Sequence, residues 1–409
     1  MLLDTQGKPF AITASMFVGD CMDGLRAMPD QSVHCCVTSP PYYGLRDYGM
    51  AGQIGLEDTP DAYVARLVDV FREVRRVLHH TGTLWLNIAD SYAGRCKGAW
   101  KNKDAPKETY SPDYESPQLQ MARVFPGIKP KDLIGIPWML AFALRADGWY
   151  LRQDIIWAKP NCMPESVRDR CTKSHEYVFL LSKSPRYFFD ADAVKEPAAA
   201  SSISRWAQDI EAQEGSTRVP GKSNGKMKAV GGGAFRNRRS VWSVPTAKFN
   251  GAHFAVFPPA LVEPCVLAGT SSHGVCPACG NPWARVIERT GHENMREQAH
   301  QPGNRTTKTD STGWAPLTRA TDKWSPTCDC GKSPVPATVL DPFAGTGTTG
   351  GVAVLAGRCF VGCELNPAYV AMARDRLSKT LHRAKEIPIA LEPSCNRSKN
   401  ARTPEEWLR

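Results

Sequence analysis

A short apolar run, Thr338-Val339-Leu340, leads straight into Asp341-Pro342-Phe343-Ala344-Gly345-Thr346-Gly347-Thr348-Thr349-Gly350, and only 59 residues follow that last glycine in the 409-residue chain. The pattern predicts a strand, a tight glycine loop and the first turn of a helix. Glycines let the backbone approach a ligand closely, and a helix start offers N–H groups with no partner of their own. Arg358-Cys359-Phe360-Val361-Gly362-Cys363, ending at Glu364, reads as the next strand. The remainder has room for one helix. One strand and one helix are too little to complete a sheet around the loop, so the other strands must come from the N-terminal half. The expected fold is α/β, Rossmann-like and circularly permuted, with the glycine loop last.

The N-terminal half carries suitable elements. Residues 16–20, Met-Phe-Val-Gly-Asp, read as a short strand ending in a turn. Val33-His34-Cys35-Cys36-Val37-Thr38 reads as a second strand, stopped by Pro40-Pro41. Val64, Leu67, Val68, Phe71, Val74, Val77 and Leu78 share one helical face. Gly82 is expected to end that helix and Thr83–Ile88 to form a strand. A helix is expected over 137–146, with strands over Trp149–Trp157 and Glu176–Leu181; Tyr187-Phe188-Phe189 is expected to return as a hairpin after Ser184-Pro185.

Two stretches break this rhythm. Residues 94–131 are polar, with several prolines and lysines and no periodicity. Residues 199–250 hold nine Lys/Arg against three acids, so a local balance of +6 carries more than half of the chain's net charge of +10. With Trp206, Phe235 and Trp242 interspersed, this stretch reads as a basic loop suited to a phosphate backbone, Arg236, Arg238 and Arg239 being the candidate contacts. A solvated linker has the same composition.

Composition excludes little beyond this. At 42% hydrophobic residues the chain can bury a substantial core, and a pI near 8.9 is compatible with a polyanionic partner. No run reaches the 18 or so apolar residues of a membrane span, and the N-terminus lacks the pattern of a secretory signal, so a cytoplasmic protein is expected. Fourteen cysteines then suggest metal sites and reduced thiols, not a disulfide framework.

The glycine loop by itself fits a nicotinamide nucleotide as well as other nucleoside cofactors. Asp341 argues against the former: an acid at the strand end would repel a pyrophosphate, whereas an amino-acid ammonium or a sulfonium would be attracted. Glu364, at the end of the next strand, suits the two hydroxyls of a ribose.

Ser39-Pro40-Pro41-Tyr42 follows a strand, at the carboxyl edge where α/β folds place ligands. Two prolines fix the backbone and remove two donors. A rigid set of acceptors remains, the Ser39 hydroxyl and nearby carbonyls, beside the flat face of Tyr42. An exocyclic amine on a base is a poor nucleophile because its lone pair is delocalised into the ring. Acceptors that grip its N–H groups favour a more pyramidal nitrogen whose lone pair can meet an electrophilic methyl.

These residues resemble a known family. Val37-Thr38-Ser39-Pro40-Pro41-Tyr42 is similar to the catalytic signature of amino-group DNA methyltransferases that use S-adenosylmethionine, and the Ser-Pro-Pro-Tyr form resembles that of members acting on the 4-amino group of cytosine. Asp341 through Thr348 resembles the family's cofactor motif, and the order of the two motifs is that of the β class. The resemblance implies that Asp341, Phe343, Gly345, Thr346, Gly347, Thr348 and Glu364 bind S-adenosylmethionine, with Asp20 near its adenine amino group. It also implies that His253 through Phe257, Pro258 and Leu261 to Ser271 lines the methionine end. The partner it implies is double-stranded DNA, with a homodimer or a cognate restriction nuclease compatible but not required, in a bacterial or phage setting. Adenine N6 is the alternative target. RNA or protein-glutamine methyl transfer is a more distant rival, and a non-catalytic zinc-ribbon DNA-binding module a third. The 5-methylcytosine class needs a cysteine nucleophile in a Pro-Cys-Gln context; the single Pro-Cys pair, Pro264-Cys265, is followed by Val266, and Cys265 reads as a core residue.

Cys276-Pro277-Ala278-Cys279-Gly280 and Cys328-Asp329-Cys330-Gly331 bracket a polar Gly/Thr-rich insert. Four thiolates at this spacing suggest a structural zinc site in a ribbon-like module. The expected organisation is a catalytic half over 1–198, a basic loop for target recognition over 199–250, the methionine-end motif over 251–271, the zinc-ribbon-like insert over 272–334, the cofactor half over 335–385 and a tail over 386–409.

Overall fold

The computed structural model describes residues 11–45, 47–93, 128–206, 235–246, 257–289 and 318–386. Most of the polar stretch 94–131, the middle of the basic stretch 199–250, and the tail from 387 lie outside these residues. The chain divides into two compact units: Met1–Phe189, Arg239–Trp283 and Pro326–Arg409 form the first, and Asp190–Arg238 with Ala284–Ser325 the second. No described helix is long and apolar enough to cross a membrane.

The first unit is built on an eight-stranded sheet. Its strands are β1 (Ala14–Val18), β2 (Val33–Thr38), β3 (Leu78–Ile88), β4 (Tyr150–Ala158), β5 (His175–Ser182), β8 (Val241–Ser243), β11 (Thr338–Asp341) and β12 (Cys359–Glu364), in the spatial order β1-β12-β11-β2-β3-β5-β4-β8. The C-terminal strands β11 and β12 thus lie between β1 and β2, and the strands missing after Gly350 are supplied by the N-terminal half. From β1 through β3 every pairing is parallel. β5 departs from the all-parallel expectation, running antiparallel to both β3 and β4.

The local chemistry explains these elements. β2 is buried along nearly its whole length, as expected of a central parallel strand covered on both faces. Helix α2 (Pro60–Val77) starts with Pro60 in its first turn and with the Thr59 hydroxyl accepting from the Ala62 amide at 3.1 Å. Tyr63, Leu67, Phe71, Val74 and Val77 form its buried face. Helices α1 (Cys21–Arg26), α3 (Ile136–Ala146), α5 (Pro259–Gly269), α6 (Thr348–Leu355) and α7 (Pro367–Glu386) complete the unit. Cys265 lies buried in α5, as expected.

Three local expectations are corrected. Helix α2 stops at Val77, and Leu78, with φ −73° and ψ 133°, already begins β3. Gly82 therefore sits inside the strand, where a Cβ would come within 2.6 Å of Leu78 Cγ and 2.9 Å of the His34 carbonyl oxygen: close packing, not helix termination, accounts for it. Tyr187–Phe189 forms no strand; the Phe188 amide donates to the Thr81 carbonyl oxygen at 2.8 Å. Finally, part of the basic stretch is ordinary architecture. Trp242 is buried in edge strand β8 beside Trp157 and donates its indole N–H to the Arg239 carbonyl oxygen at 2.7 Å, so its ring is not a surface for a nucleic acid.

In the second unit, β6 (Glu196–Pro197) pairs antiparallel with β7 (Phe235–Arg236), and α4 (Ala200–Trp206) follows β6. Strands β9 (Trp283–Arg289) and β10 (Thr318–Pro326), rooted by their outer ends in the first unit, form a two-stranded sheet. Arg285 bonds the buried Asp190 at 3.0 Å and lies over the Trp324 ring.

Candidate active site

At the carboxyl edge of the parallel strands, the loops after β1, β2, β11 and β12 surround a cleft of about 510 Å³. Its walls combine the two segments that stand at opposite ends of the sequence. Ser39, Pro40, Pro41 and Tyr42 line one part, and Asp20, Phe343, Gly345, Thr346, Thr348 and Glu364 another.

Helix α2 holds the first segment in place. The buried Tyr63 hydroxyl donates to the Pro41 carbonyl oxygen at 2.8 Å, and the Gly44 amide bonds the Gly55 carbonyl oxygen at 2.8 Å. Tyr42 is anchored by its hydroxyl, which donates to Glu176 Oε2 at 2.6 Å. Glu176 Oε2 also accepts from Asn87 Nδ2 at 3.1 Å, and its other oxygen is ion-paired with Lys159. Burial, reinforced by the Glu176 charge, raises the Tyr42 phenol well above its ordinary value, so it stays protonated and donating. The Ser39 hydroxyl points at the Tyr42 oxygen from 3.3 Å. With its hydrogen turned that way, Ser39 presents its lone pairs elsewhere as acceptors.

Asn87, Trp157, Lys159 and Glu176 line the same cleft and escaped the sequence reading. Lys159 Nζ lies 4.3 Å from the centre of the Trp157 ring, whose indole N–H is fixed on the Val244 carbonyl oxygen at 2.7 Å. The available signal was an acid, Glu176, at the head of the apolar run Tyr177-Val178-Phe179-Leu180-Leu181: a carboxylate there is buried and needs partners.

On the other wall, Asp20 caps α1 through a 2.8 Å bond from the Met22 amide. Glu364 accepts the Gly345 amide at 2.9 Å on one oxygen and the Asn366 amide at 2.8 Å on the other. Each oxygen keeps a further lone pair for a ligand hydroxyl. Thr346 Oγ1 is buried and has no hydrogen-bond partner among the described residues. Phe257 reaches the cleft, whereas Leu261 and Ser271 are buried and His253 is outside the described residues.

Two residues expected on this wall stand behind it. Asp341 is fully buried and accepts Thr38 Oγ1 at 2.6 Å, Thr349 Oγ1 at 2.7 Å and the Phe343 amide at 3.0 Å. It has become a clamp inside the protein, unavailable to an ammonium group. Gly347, at φ +78°, caps α6, and a Cβ there would meet Ala373 Cβ at 3.2 Å; it serves the turn and the packing of α7.

The four cysteines do converge. The sulfurs of Cys276, Cys279, Cys328 and Cys330 lie within 4.8 Å of one another in the first unit. The arginines are less uniform: Arg236 Nε is bonded to Glu196 Oε1 at 2.9 Å, and Arg238 and Arg239 follow on the connection into β8.

A cleft that joins an amine-gripping loop to a glycine-rich cofactor loop at one sheet edge defines a methyltransferase of the amino-group class. A family profile described as DNA methylase, for the N6 and N4 enzymes, matches residues 33–276 and 333–375, and the chain belongs to this family. The Type II methyltransferase M.SmaI of Serratia marcescens is 39% identical over 365 residues, covering 89% of this chain and 91% of its own. The Type II methyltransferase M.Cfr9I of Citrobacter freundii is 40% identical over 368 residues, covering 89% and 87%. Among solved structures, the PvuII DNA methyltransferase (cytosine-N4-specific) aligns over 92% of this chain and 94% of its own, at 15% identity and a TM-score of 0.48.

Proposed function

We propose that this DNA methyltransferase transfers a methyl group from S-adenosylmethionine to the exocyclic 4-amino group of cytosine in double-stranded DNA, on a circularly permuted β-class scaffold. The observation that carries the reading is the line Ser39–Tyr42–Glu176 on the same cleft as the glycine loop and Glu364.

The cofactor reading is supported by the fit of the far wall. Glu364 has lone pairs to spare for ribose hydroxyls, the buried Thr346 hydroxyl lacks a partner, and Phe343 adds an apolar face. When bound, S-adenosylmethionine supplies an electrophilic methyl group on a sulfonium. The chain's own residues do the rest. The base reaches the cleft only after swinging out of the duplex. Tyr42 and the Trp157–Lys159 pair offer flat and cationic surfaces beside it. Ser39 accepts an N–H of the amine, holds the nitrogen lone pair toward the methyl, and tightens its own bond to Tyr42 as it does so. After the N–C bond forms, the amine must release a proton, and Glu176, at the end of the line, is the base that takes it.

Basic residues of the second unit and its flanks, including Arg238 and Arg239, are the proposed DNA-reading surface. The test of the target base is hydrolysis of DNA methylated by the purified enzyme, followed by nucleoside mass spectrometry. N4-methylcytosine is expected; N6-methyladenine would replace the cytosine assignment by the adenine one.

A further inference from the structure

Cys276 and Cys279 stand just before the chain leaves the first unit at Trp283, and Cys328 and Cys330 just after it returns at Pro326. Their sulfurs lie within 4.8 Å of one another. A tetrahedral zinc with sulfurs at ~2.3 Å needs sulfur–sulfur separations of roughly 3.8 Å, within reach of this cluster. The backbone is already folded as a knuckle. The Gly280 amide bonds the Cys276 carbonyl oxygen at 2.8 Å, Gly280 takes φ +74°, the Cys276 amide bonds the Asn281 carbonyl oxygen at 2.8 Å, and Val275 and Val335 exchange bonds of 2.8 and 2.9 Å that zip the outgoing and returning segments together. Thr327 Oγ1 adds a bond to the Pro282 carbonyl oxygen at 2.7 Å.

The knuckle rests on the amino ends of β2 and β3. A Cβ on Gly280 would sit 2.8 Å from the His79 ring and 3.5 Å from His34 Nε2. His79 Nδ1 accepts the Thr81 amide at 3.3 Å, which leaves Nε2 as the donor to the Cys279 carbonyl oxygen at 3.1 Å. His34 is the second residue of β2 and Ser39 follows its last, so the knuckle and the cleft are separated by a strand length of roughly 16 Å.

We propose that these four cysteines hold one zinc ion, and that the ion is a structural fastener. It clamps the chain's exit and return points on the amino edge of the sheet, opposite the carboxyl-edge cleft, and takes no part in methyl transfer. Four thiolates leave no open position for a reacting group, as in closed structural sites.

The test uses the full chain purified without chelator. Elemental analysis should find one zinc per chain, and Cys328→Ser and Cys330→Ser should each lose it while Cys171→Ser, at an exposed cysteine outside the cluster, keeps it. Zinc-free wild-type protein, iron in place of zinc, or full zinc in both ligand variants would overturn the site. For the role, cobalt-substituted protein should show thiolate-to-cobalt absorption and unchanged kcat for methyl transfer. A kcat that shifts tenfold or more with the metal would overturn the structural assignment. Zinc content is read without methylation, so its outcome is independent of the target-base reading.

Discussion

The Thr38 hydroxyl donates a 2.6 Å hydrogen bond to the Asp341 carboxylate across 303 positions of sequence. This bond ties the strand that precedes Ser39 to the strand that precedes the glycine loop, and Thr349 binds the other Asp341 oxygen from the first turn of α6. The two halves of the site are therefore held in register by a buried carboxylate. Thr38→Val removes one donor from it and should cost about 1–3 kcal/mol of stability. Thr349→Val should do likewise, and a double-mutant cycle in urea should show coupling because both hydroxyls serve one group. Additive losses, or losses below about 0.5 kcal/mol, would mean that the clamp contributes little.

Asp341 also sets a pH dependence. Burial pushes its carboxyl up to about 6, against the pull of Thr38, Thr349 and the Phe343 amide. In the unfolded chain it titrates near ~3.9. The folded state thus holds the proton more tightly, and the stability this provides is complete below pH ~4 and lost as pH rises through about 6. Relative to Asp341→Asn, which does not titrate there, the wild type should lose up to about 3 kcal/mol between pH 4 and 7. A difference that grows in the opposite direction would contradict the assignment.

Tyr42 has two separable contributions. Tyr42→Ala removes ring and hydroxyl, and with stacking worth about 1–3 kcal/mol per base, kcat/KM should fall roughly 5- to 150-fold. Tyr42→Phe keeps the ring but strips Glu176 and Ser39 of their shared partner; it should fall between the two, chiefly in kcat. Binding of S-adenosylmethionine, measured by calorimetry, should survive both changes. Wild-type turnover in Tyr42→Ala would remove the residue from the site.

Glu364 joins loop geometry to ligand contact. Glu364→Ala should weaken S-adenosylmethionine binding by about 1.5–3 kcal/mol and also destabilise the fold, since the Gly345 and Asn366 amides lose their acceptor. Glu364→Gln retains one acceptor oxygen and should recover part of both. Unchanged affinity in the alanine variant would exclude the ribose contact.

The arginine cluster yields a smaller expectation than its charge suggests. Arg236 is engaged by Glu196. Neutralising Arg236, Arg238 and Arg239 together should therefore reduce the magnitude of the salt slope of DNA binding by about two units, not three, at roughly 0.9 per phosphate contact. If the slope and the base preference both stay unchanged, these residues do not meet DNA.

Much of the protein was determined by the sequence alone. β2 occupies Val33–Thr38 as expected, because a continuous apolar run bounded by a double proline admits few other outcomes. The glycine loop, its flanking strands, the need for N-terminal strands to finish the sheet and the convergence of four cysteines were likewise legible, since each rests on local spacing or chain length. Tertiary structure alone decided which side of a wall a residue faces. Asp341 reads as a ligand-facing acid, yet Thr38, 303 positions away, and Thr349 turn it inward. Asn87, Trp157, Lys159 and Glu176 come from three different strands and their ends, with no motif among them, and become a site when β3, β4 and β5 align. Trp242, set in a basic stretch, is buried because β8 finds the open edge of β4. Periodicity and turn chemistry act within a few residues, whereas burying a charge or an aromatic ring depends on partners that the chain brings together only on folding.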